Sequence, residues 1–182
     1  MMNKISMVLA LSALAACSST NAQEKKEPAQ AEKPTAAKPE VKKEVKAPTP
    51  AAVEIPADAV KVVIEGNDAM QFNLKEVKVA AGSTVALTLK HVGKIAKAAM
   101  GHNVVILAAG TDVNKFAASA MTAKDEDYVP SAQAASVSAA TKLIGGGESD
   151  TVVFKAPAAG TYDFICSFPG HYAVRKGKFI VE

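Results

Sequence analysis

The chain has 182 residues and a mass of 18.8 kDa, with 49% hydrophobic and 21% charged side chains, enough apolar material for one cored domain with an appendage. Aromatics make up 5% and tryptophan is absent, which argues against a platform of stacked rings for oligosaccharides or single-stranded nucleic acid. The formal net charge of +3 is too even for a nucleic-acid binder, and residues 53–182 hold thirteen basic and thirteen acidic groups, so the excess lies ahead of them.

In chain order, Lys4 forms a basic start and Ile5 to Leu14 an apolar stretch of about ten residues, short of the roughly 20 that span a bilayer. It ends in Leu14-Ala15-Ala16-Cys17. This resembles the lipobox of bacterial lipoproteins; the alternative is an ordinary secretory signal cleaved further along. The lipobox implies a signal peptide over residues 1–16 and an acylated Cys17 as the first mature residue. Ser18 follows, where an inner-membrane retention signal would carry Asp, so outer-membrane sorting is expected, with the domain in the periplasm or at the cell surface. Residues 17–52 are Ala, Lys, Glu and Pro with almost nothing large and apolar to bury, and are expected to be a disordered tether.

From residue 53 to 182 the pattern is that of a folded domain. Short β-rich runs occur at Val60–Ile64, Glu76–Val79, Thr84–Lys90, Asn103–Leu107, Thr151–Lys155, Tyr162–Cys166 and Lys178–Val181, separated by Gly, Asn, Asp and Pro. Alternation puts Val85, Leu87 and Leu89 on one face, and Tyr162, Phe164 and Cys166 on one face of another strand. Val104 to Leu107 is continuously apolar, as a strand covered on both sides would be. Within Thr111 to Ala123, Val113, Phe116, Ala117, Ala120 and Met121 recur at helical spacing, with Thr111 or Asp112 as N-cap and Met121 as core or patch rather than ligand. The expected architecture is an all-β sandwich with one short excursion helix.

Of the two cysteines, Cys17 is taken by the expected lipid anchor, so Cys166 has no partner for a disulfide within the domain. A lone cysteine is usually an inert buried thiol. Here Cys166-Ser167-Phe168-Pro169-Gly170-His171 follows a strand with a Pro-Gly turn and an imidazole, and Met100-Gly101-His102-Asn103 supplies a second imidazole. Two His and one thiolate form the trigonal set of a blue-copper electron-transfer centre. Zinc with the same ligands and a fourth donor is the chemical alternative.

Four stretches in order, Gly66-Asn67-Asp68-Ala69-Met70-Gln71-Phe72-Asn73, Met100-Gly101-His102-Asn103, Thr141-Lys142-Leu143-Ile144-Gly145 and Cys166-Ser167-Phe168-Pro169-Gly170-His171, resemble the azurins of the cupredoxin, or type 1 blue-copper, family. The resemblance implies a cupredoxin-like Greek-key sandwich and one copper ion. It further implies His102, Cys166 and His171 as equatorial ligands and the Gly101 carbonyl on one axis. Asn103 would brace the ligand loops, and the Asn103 and Phe168 N–H groups would point at the sulfur. His91 would be a buried non-ligand. An apolar docking patch of Met70, Ile95, Met100, Phe168, Pro169 and Ala173 would ring the edge of His171, flanked by Arg175 and Lys176 as partners for an acidic rim.

This chain departs from the family at the axial methionine, whose position holds Arg175; no methionine follows Met121. Arginine is not an ordinary copper ligand. Two geometries are open: the guanidinium reaches out to water, or it stays beside the metal and favours Cu(I). The family's disulfide near the start of the domain is missing, and its tryptophan beside the ligand histidine is Val104. The implied function is a membrane-tethered, monomeric one-electron carrier rather than an enzyme. Its partners would be redox proteins such as c-type cytochromes or periplasmic reductases and peroxidases, with no role for nucleic acid. The alternatives raised by Arg175 are a copper-sequestering or copper-delivery lipoprotein and a metal-free structural surface lipoprotein.

Overall fold

A computed structural model describes residues 53–182; the expected signal peptide, the lipidated Cys17 and the tether lie outside the described residues. The elements in order are β1 (Val60–Gly66), β2 (Glu76–Val79), β3 (Thr84–His91), the single-turn helix α1 (Lys97–Met100), β4 (Val105–Leu107), α2 (Val113–Ala120), β5 (Val137–Ala140), β6 (Ser149–Lys155), β7 (Gly160–Ile165) and β8 (Lys176–Val181). Two 3-10 segments, Lys124–Glu126 and Ser131–Ser136, lead from α2 to β5.

The strands sort into a sheet of order β1-β3-β6 and a sheet of order β2-β8-β7-β4-β5. β1 pairs with β3 and β2 with β8 in parallel, while the remaining neighbours are antiparallel. The period-2 patterns dictate the stacking. Ile64, Val85, Leu87 and Leu89 from one sheet face Val77, Val104, Ile106, Tyr162, Phe164, Cys166 and Phe179 from the other, all in one buried cluster. A fully buried Val, Leu or Phe side chain contributes about 1.5–3 kcal/mol, so this layer dominates the favourable side of folding. The larger sheet is also covered on its outer face, where Val105, Leu107 and Ile165 meet Phe116 and Ala120 of α2, with Tyr128 and Leu143. That second layer is why Val104 to Leu107 reads as continuously apolar.

The predicted strand at Asn103 begins at Val105, because the Val104 N–H is taken by the Thr141 side chain (Oγ1, 3.0 Å) instead of a ladder carbonyl. The predicted helix is trimmed to eight residues. Asp112 is its N-cap, accepting from the N–H groups of Asn114 (2.9 Å) and Lys115 (3.1 Å). Met121 closes the helix and is 57% exposed, so it is a surface residue rather than core. β5 and α1 were not predicted.

Candidate metal centre

One end of the sandwich brings together the segments that precede β4 and follow β7. His102 is held by reciprocal main-chain bonds to Ile144 (2.9 and 2.8 Å), which fix the direction of its side chain. The ring stacks on His91, with centroids 3.9 Å apart and planes 2° from parallel. Its other boundary is Gly66, where a Cβ would stand 2.8 Å from His102 Cδ2, so a glycine is required there. Both His102 nitrogens face carbonyls, Nε2 that of Asn67 (3.1 Å) and Nδ1 that of Gly101 (2.8 Å), but Arg175 Nη1, which can only donate, stands against Nδ1, so Nδ1 is the lone-pair nitrogen and Nε2 the donor. His91 is buried, Nε2 against Met100 O (3.1 Å) and Nδ1 accepting from the Gly93 N–H (3.0 Å), and both ring nitrogens are occupied away from the cluster.

Cys166 lies one residue past β7, its N–H donating to Arg175 O (3.0 Å) across the base of the loop. The chain then turns at Gly170 (φ 81°), in the left-handed region that favours glycine, and the His171 N–H closes on Phe168 O (3.0 Å). The turn returns the His171 ring to the cysteine, with Nδ1 3.6 Å from Sγ. The donor atoms of His102, Cys166 and His171 all lie within 4.8 Å of one another, and all three residues are buried. Gly101 O faces the same space, 2.8 Å from His102 Nδ1 and 3.9 Å from Sγ.

The electrostatics suit a soft cation. Burial, and after it the charge of Arg175, holds both His102 and His171 well below the usual imidazole range, at about 4, so both rings are neutral lone-pair donors near pH 7. Burial pushes the Cys166 thiol up, opposed by the Asn103 and Phe168 N–H groups and by Arg175, each of which favours the thiolate. The Asn103 side chain bridges the two segments. Its Nδ2 donates to Ser167 Oγ (2.8 Å) and Asp127 O (3.0 Å), and its Oδ1 accepts from the Ser167 N–H (2.8 Å). One thiolate and two neutral imidazoles, without a carboxylate among them, fit copper.

Arg175 takes the inward geometry. It is 0% exposed, with Nη1 against His102 Nδ1, Nη2 donating to Asn67 O (2.6 Å) and Cζ 5.3 Å from the centre of the Phe72 ring. It therefore supplies no charge to a docking rim, which corrects that expectation; Lys176 alone of the pair is at the surface. Of the expected patch, Met70 and Ile95 are 39% exposed, Ala173 is exposed, and Met100, Phe168 and Pro169 are half-buried. His171 shows 4% of its surface. The exposed Val92 and Val174 were not anticipated.

Sequence reasoning also missed Asn67, whose carbonyl orients His102 and Arg175 together, and Phe72, which carries the guanidinium. Both lie in the Gly66–Asn73 motif, but a backbone carbonyl's role leaves no mark in side-chain type.

A family model described as copper binding proteins, plastocyanin/azurin family, matches residues 58–182. Azurin-2 of Alcaligenes xylosoxydans xylosoxydans is 47% identical over 122 residues, covering 64% of this chain and 93% of that protein. Outer membrane protein H.8 of Neisseria gonorrhoeae is 45% identical over 118 residues, 63% of each chain. Among solved structures, auracyanin A, described as a "blue" copper protein from Chloroflexus aurantiacus, matches with a TM-score of 0.62 at 31% identity, over 68% of this chain and 99% of that one.

Proposed function

The chain belongs to the copper-binding plastocyanin/azurin family and its cofactor is one copper ion; on that premise we propose that it is a one-electron carrier, not an enzyme, whose metal would be held by His102, Cys166 and His171, with the Gly101 carbonyl facing the same space. The observation that carries the reading is the convergence of three buried donor atoms within 4.8 Å from two segments of one rigid sandwich end. Copper, when bound, supplies the Cu(I)/Cu(II) couple.

The residues of this chain do the rest. The Ile144 bridge, the Asn103 network and the Phe168–His171 turn hold the donors in one geometry, so little ligand movement accompanies a change of charge. The N–H groups of Asn103 and Phe168 stabilise negative charge on the sulfur. Burial excludes water, and the ring edge of His171 is the electron's exit, amid Met70, Ile95, Met100, Phe168, Pro169 and Ala173. A small apolar patch suits brief encounters with redox proteins, for which low contact area and fast release matter. The proposed partners are c-type cytochromes or periplasmic reductases and peroxidases, met by a monomer.

For location, the proposal is a signal peptide at 1–16, acylation at Cys17 and a tether to residue 52 that joins the domain to the outer membrane. It draws on the Leu14-Ala15-Ala16-Cys17 sequence, on a family match that begins at residue 58, and on the likeness to a protein named for the outer membrane. Two or three acyl chains anchor stably at about 0.8 kcal/mol per buried methylene. Mass spectrometry of the native protein checks this: an unmodified N-terminus downstream of Cys17 would overturn it.

Anaerobic titration of the metal-free chain with Cu(II) tests the carrier. An intense sulfur-to-copper charge-transfer band in the visible, with a reversible potential, is the expected result. A second reading, copper sequestration or delivery, draws on the buried Arg175 beside the ligands; tight Cu(I) binding without a reversible couple would favour it and overturn the carrier.

A further inference from the structure

Arg175 is the side chain that the carrier reading leaves unused. Among the described residues it is the fully buried group with a permanent charge, and it stands where the family resemblance puts a weak neutral donor. We propose that Arg175 is the resident cation of this centre: its guanidinium takes the metal's place at His102 Nδ1 in the metal-free protein, and its charge selects a monovalent copper ion over divalent ions such as Zn(II). The inference rests on the reading of His102, Cys166 and His171 as the ligands.

The His102 ring has one nitrogen to offer a metal, because Nε2 is committed to Asn67 O. That nitrogen, Nδ1, is occupied by Arg175 Nη1. A lone pair cannot serve a guanidinium N–H and a metal together, so loading is an exchange of one cation for another at the same atom. The backbone does not move aside for it. Arg175 N donates to His171 O (2.8 Å) and Arg175 O accepts from Cys166 N (3.0 Å), which pins its Cα at the neck of the ligand loop. Two further contacts, Nη2 to Asn67 O and Cζ above Phe72, involve none of the three metal-binding atoms. The fork can therefore give up Nδ1 by rotating its side chain and still keep its charge beside the site.

The partners themselves are unlike those of a structural ion pair. A buried arginine held for stability is normally met by a carboxylate across its planar fork. Here the acceptors are a backbone carbonyl and an imidazole lone pair, and Nε has no partner at all. Once a metal is bound, the charge that would balance it is the Cys166 sulfur, which a metal takes as thiolate. Guanidinium and thiolate together are neutral. Adding Cu(I) leaves one net buried positive charge, and adding Zn(II) leaves two. The cost of an uncompensated buried charge rises steeply with its size, and repulsion from the guanidinium is doubled for a divalent ion. A His-His-Cys set on its own would accept zinc readily; the arginine supplies the discrimination.

The test is competitive chelator titration of the metal-free full chain with Cu(I), under anaerobic conditions, and with Zn(II). Wild type is compared with Arg175→Leu, which removes the charge without adding a donor, and with Arg175→Lys, which keeps it. The ratio of Zn(II) to Cu(I) affinity should rise by roughly ten- to a hundredfold in Arg175→Leu and stay within a few-fold of wild type in Arg175→Lys. Equal gains for both ions in Arg175→Leu would overturn the inference, since a purely structural role would move both together. If that variant fails to fold by circular dichroism, nitrogen NMR of the wild type decides. The side-chain resonances of Arg175 must shift when Cu(I) is added, and unchanged resonances would sink the exchange. Cys166→Ser separates the two readings. Undiminished Cu(I) affinity in that variant removes the ligand assignment itself, whereas lost affinity with an unmoved ratio removes only the role of Arg175.

Discussion

The segment Gly101–Asn103 and the loop from Cys166 to Arg175 both contribute to the His-Cys-His cluster, and they are held in different ways. His102 is bonded to Ile144 in both directions, its ring lies between His91 and the bare face of Gly66, and the Asn103 side chain ties that segment to Ser167 and Asp127. None of these contacts needs a metal. The loop is closed on itself by His171 to Phe168, Arg175 to His171 and Cys166 to Arg175, and it ends on a cation that points into the site. The first region therefore sets geometry, and the second sets charge. Frame and loop can be varied apart, which makes the contrast testable.

The largest effect is expected at the loop's first residue. Cys166→Ser should abolish the charge-transfer band outright, because Cys166 is the thiolate of the cluster and a serine hydroxyl cannot replace sulfur in that transition. The sandwich should remain folded by circular dichroism. An equally blue Cys166→Ser protein would remove the copper assignment altogether.

The frame should break at Asn103. Asn103→Ala strips partners from the buried Ser167 N–H and the half-buried Asp127 carbonyl, and a buried unsatisfied group costs about 1–3 kcal/mol. A loss of about 2–4 kcal/mol in denaturant unfolding of the metal-free protein is expected. A loss below about 1 kcal/mol would show that the two ligand segments hold their positions without this bridge.

How much of this was legible in the sequence follows from the same contrast. The strand runs around Leu87-Thr88-Leu89 and Tyr162-Asp163-Phe164 were readable because alternation and burial agree there. β5 was not: Val137-Ser138-Ala139-Ala140 has little β-forming character, and its extended state comes from pairing with β4. The cluster of His102, Cys166 and His171 was readable as a motif. The direction of Arg175 was left open, yet its signal was present. Phe179 and Val181 face the core, and stepping back by two along the chain reaches Gly177 and then Arg175. A charged residue in phase with core positions is aimed inward by the pleat. What no side chain could announce is the Asn67 carbonyl, which meets both His102 and Arg175.

Next in size is the charge at the loop's end. Arg175→Met should keep the blue centre and lower its potential, since a positive charge is removed and a weak donor that supports Cu(II) is added. At an effective dielectric of 20, a unit charge about 5–8 Å from the metal is worth roughly 2–3 kcal/mol, or about 90–140 mV for one electron. The full burial of Arg175 limits screening by salt. Voltammetry in which the potential rises or stays fixed would mean that the guanidinium does not act on the metal electrostatically.

The smallest expected effect compares two glycines, one on each side of the site. At Gly170 the demand is conformational: φ is 81°, and an added Cβ would meet nothing within 4 Å. An L-residue held in that region costs about 1–2 kcal/mol, so Gly170→Ala should lower stability by that amount. His171 should still reach the cluster, because the turn's hydrogen bond to Phe168 O is main-chain and survives the substitution. At Gly66 the demand is steric instead, since the new methyl would press on the His102 ring. Gly66→Ala should therefore shift the visible band or the potential, while Gly170→Ala changes the unfolding midpoint and leaves the spectrum alone. If the two substitutions perturb the spectrum equally, the frame is no stiffer than the loop, and the division of labour between geometry and charge fails at its weakest point.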